Sequence, residues 1–456
     1  MTRMVSSAGI LMLVAWLAMR GANAQQTAAI TPPSPVPTAP AIEQGRYVGV
    51  ASCAAGSCHG SPAAVANANI LMNEYDSWLH APAPTHVKSY EVLLNPLSQR
   101  IARNMNLPAP EKSRICLDCH TLNVPSTAVE IADGISCEAC HGPAGGWRAE
   151  HARKGWSHAD SVKRGMIDLR DLNVRARMCM SCHVGNATRQ VNHELIAAGH
   201  PMLTFELDNF TESRLMPPHW KRQSQKASGR KLPQSHGITA WAVGQSAAFR
   251  QELQNVSRHA GSDQWPEFTY LSCDSCHHPL REGGWRQERN HSTGPGRPQW
   301  SPARWVILRQ ILVAVAPAEV ASLDSEVREL AAAVSRMRNP QRVISISRSI
   351  DGRLARVAPR IEAAAWDRAR TEKMIRAIAR DGRGFREADR QSAEQAVYSL
   401  LSLTSHLAQQ DAAYARGGLA RSVELLYKQV DALRHPDEFN HAAFVAALDA
   451  IDATLR

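Results

Sequence analysis

The sequence predicts a mainly α-helical protein with little regular sheet, in two parts. A cysteine- and histidine-rich region spans 49–300, and an α-helical bundle spans 301–456. Three observations predict this. All ten cysteines (53, 58, 116, 119, 137, 140, 179, 182, 273 and 276) lie in the first part. That part is rich in Gly, Pro, His and Trp, its helical periodicity is patchy, and it looks short of apolar side chains for its size. Beyond residue 300 the cysteines stop and apolar residues recur at intervals of three and four, as on one face of a helix.

The first 24 residues have a secretory layout: a short start carrying Arg3, the apolar stretch "ILMLVAWLAM", and "ANA" before Gln25. The stretch is short for a bilayer span and no second long apolar run follows, so the mature chain is expected to have no transmembrane segment. A cleaved leader implies export, with the periplasm as the expected compartment. Residues 25–48 include "TPPSPVPTAP", read as an extended, semi-rigid tether. In the last part, Trp305, Leu308, Ile311, Leu312 and Val315 form one apolar stripe, and Leu419, Val423, Leu426, Val430 and Leu433 form another. Asn339-Pro340, Asp351-Gly352, Asp381-Gly382 and Gly417-Gly418 are expected breaks, giving four to six helices. His406, His435 and His441 are expected at surfaces or caps.

Four cysteine pairs share one form: "CLDCH" (116–120), "CEACH" (137–141), "CMSCH" (179–183) and "CDSCH" (273–277). This is the attachment signature of c-type haem. Two thiols add across the two vinyl groups on one porphyrin edge, and the next residue lies beneath the ring, where His Nε2 can bind the iron. Zinc accepts paired cysteines but needs no histidine directly after each pair. Structural disulfides leave that histidine equally unexplained.

The segment "CAAGSCH" (53–59) ends in the same Cys-His with two more residues between the thiols. Ala54, Ala55, Gly56 and Ser57 are small enough for the longer loop to bulge outward while both sulfurs reach the same vinyl groups. Cys53, Cys58 and His59 are therefore read as a fifth site, the alternative being a Cys53–Cys58 disulfide and four haems. All ten cysteines then fall into five pairs: Cys53/Cys58, Cys116/Cys119, Cys137/Cys140, Cys179/Cys182 and Cys273/Cys276. The proximal ligands are His59, His120, His141, His183 and His277. Each haem is a large flat apolar body, so the haems themselves are expected to form the interior of this part.

The formal net charge is +10, and +8 without Arg3 and Arg20. The basic residues are scattered, which argues against a nucleic-acid partner. Five haems bring about −10 in propionates and offset most of the excess. Only 16 residues separate His120 from Cys137, and 37 separate His141 from Cys179, so successive rings stay close. Histidine is the natural sixth ligand, and the pool is His80, His86, His151, His158, His193, His200, His219, His236, His259, His278 and His291. If "HELIAAG" is helical, His193 and His200 share a face about 10 Å apart along the axis and serve two neighbouring haems.

The run "YDSWLHAPAPTHVKSYEVLL", the motifs "CLDCH", "CEACHGPAGGW…H" and "CMSCH", and "AGHPMLTFEL" together resemble secreted multihaem c-type cytochromes. Among these the chain is similar to the nitrifier tetrahaem cytochromes that accept electrons from hydroxylamine oxidoreductase, over roughly 50–285. The resemblance implies His86, His151 and His200 as distal ligands, with His193 and His219 as further ones. It departs from the family in the fifth site and in the helical tail, so that family's partner does not carry over. The expected function is single-electron transfer along five haems between redox partner proteins. The alternative is an oxidoreductase acting on nitrogen or sulfur compounds at one five-coordinate haem. Pentahaem nitrite reductases typically mark such a haem with Cys-x-x-Cys-Lys, a motif missing here.

Intact mass spectrometry of the exported protein is expected to give residues 25–456 plus five haems. A mass for four haems with two hydrogens lost to a disulfide contradicts the reading of 53–59.

Overall fold

The computed structural model describes residues 45–65, 70–80, 86–212, 235–277, 297–381, 390–431 and 439–455. All belong to one compact unit, Ala39–Arg456. The leader, most of the Pro-rich tether, His219, His278, His291, Leu433 and His435 lie outside the described residues. The protein is mainly α-helical, and the extended pairing among the described residues is one isolated bridge, Leu271 to Trp300. No helix among the described residues is long and apolar enough to cross a membrane.

The first part is built from short helices joined by turns: α1 (Glu74–Leu79), α2 (Pro96–Asn104), α3 (Arg114–His120), α4 (Cys137–His141), α5 (His158–Lys163), α6 (Leu172–His183), α7 (His193–Ala197) and α8 (Leu207–Glu212). Side chains start several of them by accepting orphan main-chain N–H groups. Asn95 accepts from Ser98 for α2, Asp171 from Asn173 and Val174 for α6, and Asn192 from Leu195 for α7. Helix α4 ends at Gly142, whose φ of 78° suits glycine and where a Cβ would meet the Gly165 carbonyl at 2.9 Å.

The long helix α9 (His236–Ala260) leads into α10 (Ala303–Val315), α11 (Pro317–Arg336), α12 (Pro340–Glu362), α13 (Arg368–Arg380), α14 (Arg390–Gln410), α15 (Ala412–Arg416), α16 (Gly418–Asp431) and α17 (His441–Ala453). One apolar core runs from Ile238 and Trp241 on α9 to Leu448 and Ile451 on α17. Both stripes read from the sequence face it: Trp305, Leu308, Ile311 and Leu312, then Leu419, Val423, Leu426 and Val430, are buried.

Three expectations are corrected. Eight helices, not four to six, are described beyond residue 300. Asp351-Gly352 is no break but lies inside α12. Asp351 there accepts hydrogen bonds from Arg250 Nε at 2.6 Å and Gln254 Nε2 at 3.0 Å, and Ile350 and Leu354 are fully buried. Tertiary packing thus outweighs the roughly 1 kcal/mol that glycine costs a helix. His406 is not at the surface: it is buried on α14, with Nε2 beside the Trp366 carbonyl at 3.2 Å.

The two parts differ in how they are filled. Neither apolar core cluster reaches upstream of Leu172. Among the described residues, eight of the eleven exposed large apolar side chains lie between Val65 and Ile131, so this part presents apolar surface with few side chains to cover it.

Leu308 is fully buried in the helical core. Leu308→Ala is expected to lower unfolding stability by about 2–5 kcal/mol in a denaturant titration, as large-to-small core changes do.

Candidate functional site

Each motif histidine closes a short turn or helix, and four of the five face a second histidine from elsewhere in the chain. His59 and His151 have ring centroids 6.1 Å apart and nearly parallel planes, at 4°. His183 faces His86 at 6.2 Å, His120 faces His200 at 6.4 Å, and His277 faces His193 at 6.4 Å. The interplanar angles of these three, 51°, 86° and 32°, follow no common stacking rule, whereas the separation is nearly constant. Two imidazoles on opposite sides of one metal ion, with metal–nitrogen bonds of about 2.0 Å and about 1.1 Å from nitrogen to ring centre, sit about 6.2 Å apart.

Four of these rings hold Nδ1 in a hydrogen bond. His120 Nδ1 pairs with the Ser89 carbonyl at 2.8 Å, His200 Nδ1 with the Pro201 carbonyl at 2.7 Å, and His151 Nδ1 with the Arg148 carbonyl. His59 Nδ1 pairs with Glu74 Oε2 at 3.0 Å. In each case Nδ1 is committed as the donor, which leaves the Nε2 lone pair for a metal. Burial lowers the pKa of His120 and His200, and it brings His183 down to about 4, so these rings stay neutral, as coordination requires.

Three of the other sequence candidates, His80, His158 and His259, are otherwise engaged. His80 lies beside Asp76, and His158 Nε2 beside Asp168 at 2.8 Å. His236 opens helix α9. Both ring nitrogens of His259 are taken, by the Tyr270 hydroxyl and by Gln190 Oε1. His193 and His200 do serve two different partners, though not from one helix. Helix α7 stops at Ala197, because Gly199 adopts a φ of 121° and Pro201 disfavours a helical His200.

All ten cysteines are free thiols, including Cys53 and Cys58. Eight are half-buried, and Cys58 and Cys276 are exposed. The physical reason at Cys276 is local. The motifs at 116–120, 137–141 and 179–183 end α-helices, whereas "CDSCH" folds as a single 3₁₀ turn, Cys273–Ser275. That tighter turn stops one residue short of Cys276, whose backbone leaves it at a φ of −121° and carries the thiol outward. At Cys58 the four intervening residues make the outward loop that the longer spacing requires, with the Cys58 N–H donating to the Ala55 carbonyl at 2.8 Å. A thioether needs reach to a vinyl group and not burial, so Cys276 and Cys58 stay paired with Cys273 and Cys53 in the proposal below.

Thiols approach one another across motifs, Cys53 beside Cys137 and Cys119 beside Cys182. Sequence reasoning missed the residues that arrange this. The Glu138 carboxylate, buried inside "CEACH", accepts from the backbone N–H groups of Val48, Gly49 and Ala144, which ties the segment before Cys53 to the third motif. Ser89 Oγ donates to the carbonyls of both His86 and His120. Arg189 donates to the Asp118 carbonyl at 2.7 Å and to Ser181 Oγ at 3.2 Å, lashing the second motif to the fourth. Among the described residues no group of three or more His, Cys, Asp or Glu could hold a metal ion by itself. The histidine pairs instead suit a metal whose equatorial ligands come from a macrocycle.

The surroundings of His183 are apolar. Phe205 stacks on its ring at 5.0 Å and Phe210 meets it edge-on at 5.9 Å. Between these phenylalanines Glu206 is buried, accepting from the N–H groups of Asp208 and Asn209, the Asn209 amide and Ser402 Oγ. Burial first, and the Asp208 charge second, push its pKa up to about 7.

Residues 52–142, about one fifth of the chain, match the family described as Cytochrome c554 and c-prime. The match takes in "CAAGSCH", "CLDCH" and "CEACH". No curated protein and no solved structure matches the chain.

Because the Glu206 pKa is raised above its ordinary 4.5, the folded chain holds a proton that the unfolded chain has released between about pH 4.5 and 7. Its contribution to stability is therefore present below that window and lost as pH rises through it. Glu206→Gln is expected to flatten this decline in denaturation midpoints measured from pH 4.5 to 8.

Proposed function

We propose that this chain is an exported, periplasmic multihaem c-type cytochrome that passes single electrons along five covalently bound haems between redox partner proteins. The observation that carries the reading is the near-constant 6.1–6.4 Å between four motif histidines and four histidines remote in sequence. The similarity of residues 52–142 to c-type cytochromes supports it independently. On this reading residues 1–24 are the leader, 25–48 the tether, 49–300 the haem-bearing part and 301–456 the helical support.

The residues divide the work. The thiols of Cys53/Cys58, Cys116/Cys119, Cys137/Cys140, Cys179/Cys182 and Cys273/Cys276 would each hold one haem through two thioether bonds. The pairs His59/His151, His120/His200, His183/His86 and His277/His193 would each hold one iron through their imidazole nitrogens. His141 is the fifth proximal residue, and His219 remains a proposed distal one. When bound, each haem supplies an iron that takes up and releases one electron. The chain's task is to keep imidazoles such as His120, His183 and His200 neutral, to exclude water with groups such as Phe205 and Phe210, and to hold the motifs close. Since Cys53 touches Cys137 and Cys119 touches Cys182, groups attached at those thiols would lie edge to edge. That proximity suits a relay, in which the paired imidazoles would hold the iron and no substrate site is needed.

The test is axial ligation read one centre at a time. In the ferric protein His200→Ala is expected to convert one low-spin centre to high spin in the electron paramagnetic resonance spectrum and leave the rest unchanged. An unaltered low-spin count contradicts the pairing of His200 with His120.

A further inference from the structure

Glu74 lies behind the His59 ring. Its Oε2 accepts from His59 Nδ1 at 3.0 Å, and its Oε1 accepts from the Leu71 N–H at 2.9 Å, so both carboxylate oxygens are anchored. The side chain is only 12% exposed. Helix α1 begins at this residue, and the Tyr75 N–H donates to the His59 carbonyl at 2.9 Å, so backbone and side chain together fix the carboxylate against the imidazole. The corresponding partners of His120, His200 and His151 are neutral main-chain carbonyls, those of Ser89, Pro201 and Arg148.

The difference is one full charge. A charge-assisted hydrogen bond is roughly twice as strong as a neutral one. It draws the Nδ1 proton towards the carboxylate and makes the imidazole a more basic ligand through Nε2. A more basic ligand, with an anion fixed behind it in partly buried surroundings, favours the more positively charged ferric state. We propose that Glu74 is a potential-setting residue: through His59 it makes the haem at Cys53/Cys58 harder to reduce than a carbonyl partner would. The inference rests on the reading of 53–59 as a haem site. Reduction there adds one electron at the iron, while the proton stays between Nδ1 and Glu74.

The test is a spectroelectrochemical titration of the full holoprotein. The wave belonging to this haem is identified as the one lost in the Cys53→Ala/Cys58→Ala chain. Glu74→Gln keeps the shape and an acceptor oxygen but removes the charge. It is expected to shift that wave upward by roughly tenfold in the reduction equilibrium, about 59 mV for one electron, and to leave the other waves in place. An unmoved wave, or an equal shift of every wave, overturns the inference. Should the Gln chain not take up haem at this site, Glu74→Asp is read instead, its carboxylate one methylene short of Nδ1. A smaller upward shift of the same wave is then expected, and no shift overturns the proposal. A wild-type mass with only four haems would instead defeat the haem reading of 53–59, a separate outcome.

Discussion

Two imidazole rings held a little over 6 Å apart do little for one another. At that distance the His59 and His151 rings, parallel to within 4°, are too far apart for close van der Waals contact, and the pair has no hydrogen bond between its members. Yet four such pairs recur, each between a histidine that follows two cysteines and one from a distant turn. Protein interiors do not keep such gaps without something to fill them. A flat apolar ring with a metal at its centre satisfies the spacing, the committed Nδ1 atoms and the exposed apolar residues of the first part together. The rest of the haem-side architecture follows from that constraint.

Short tethers and a few polar anchors then bring the sites together. Glu138 offers its carboxylate to three main-chain N–H groups, and so pulls the segment before the first motif onto the third. Arg189 does the same for the second and fourth, and Ser89 fixes the His86 turn against the second. The outcome brings cysteines of different motifs beside one another. The helical part supports this from outside. It has the continuous apolar core that the haem side lacks, and α8 sits between the two, with Asn209 donating to Tyr398 and Ser402 on α14.

How far the sequence was legible depends on how local each cause is. The Cys-x-x-Cys-His form can be read without a structure because thioether chemistry dictates spacing over five residues. The helix stripes around Leu308 and Val423 can be read because burial repeats with the helical period. Pairing of His86 with His183, or His151 with His59, depends on contacts between distant segments, and no local spacing encodes it. The break expected at Asp351-Gly352 failed for the same reason, since Arg250 on another helix holds that turn. Buried His406 was misread because a lone polar residue on an apolar face gives no sign of its partner, here the Trp366 carbonyl. The exposure of Cys276 was equally hidden, because four motifs of identical spacing do not reveal that one of them turns more tightly than the rest. Glu74 gave no signal at all: one carboxylate in "NEYDSWLH" looks like any helix-starting acid until His59 is seen against it.

The account is tested most directly by iron content and axial ligation in the oxidised protein, read together by metal analysis and near-infrared magnetic circular dichroism. It predicts one iron for each of the five Cys-His motifs, with bis-imidazole bands from at least the four pairs described. A chain that folds with the same helical content but holds zinc, or no metal, contradicts it.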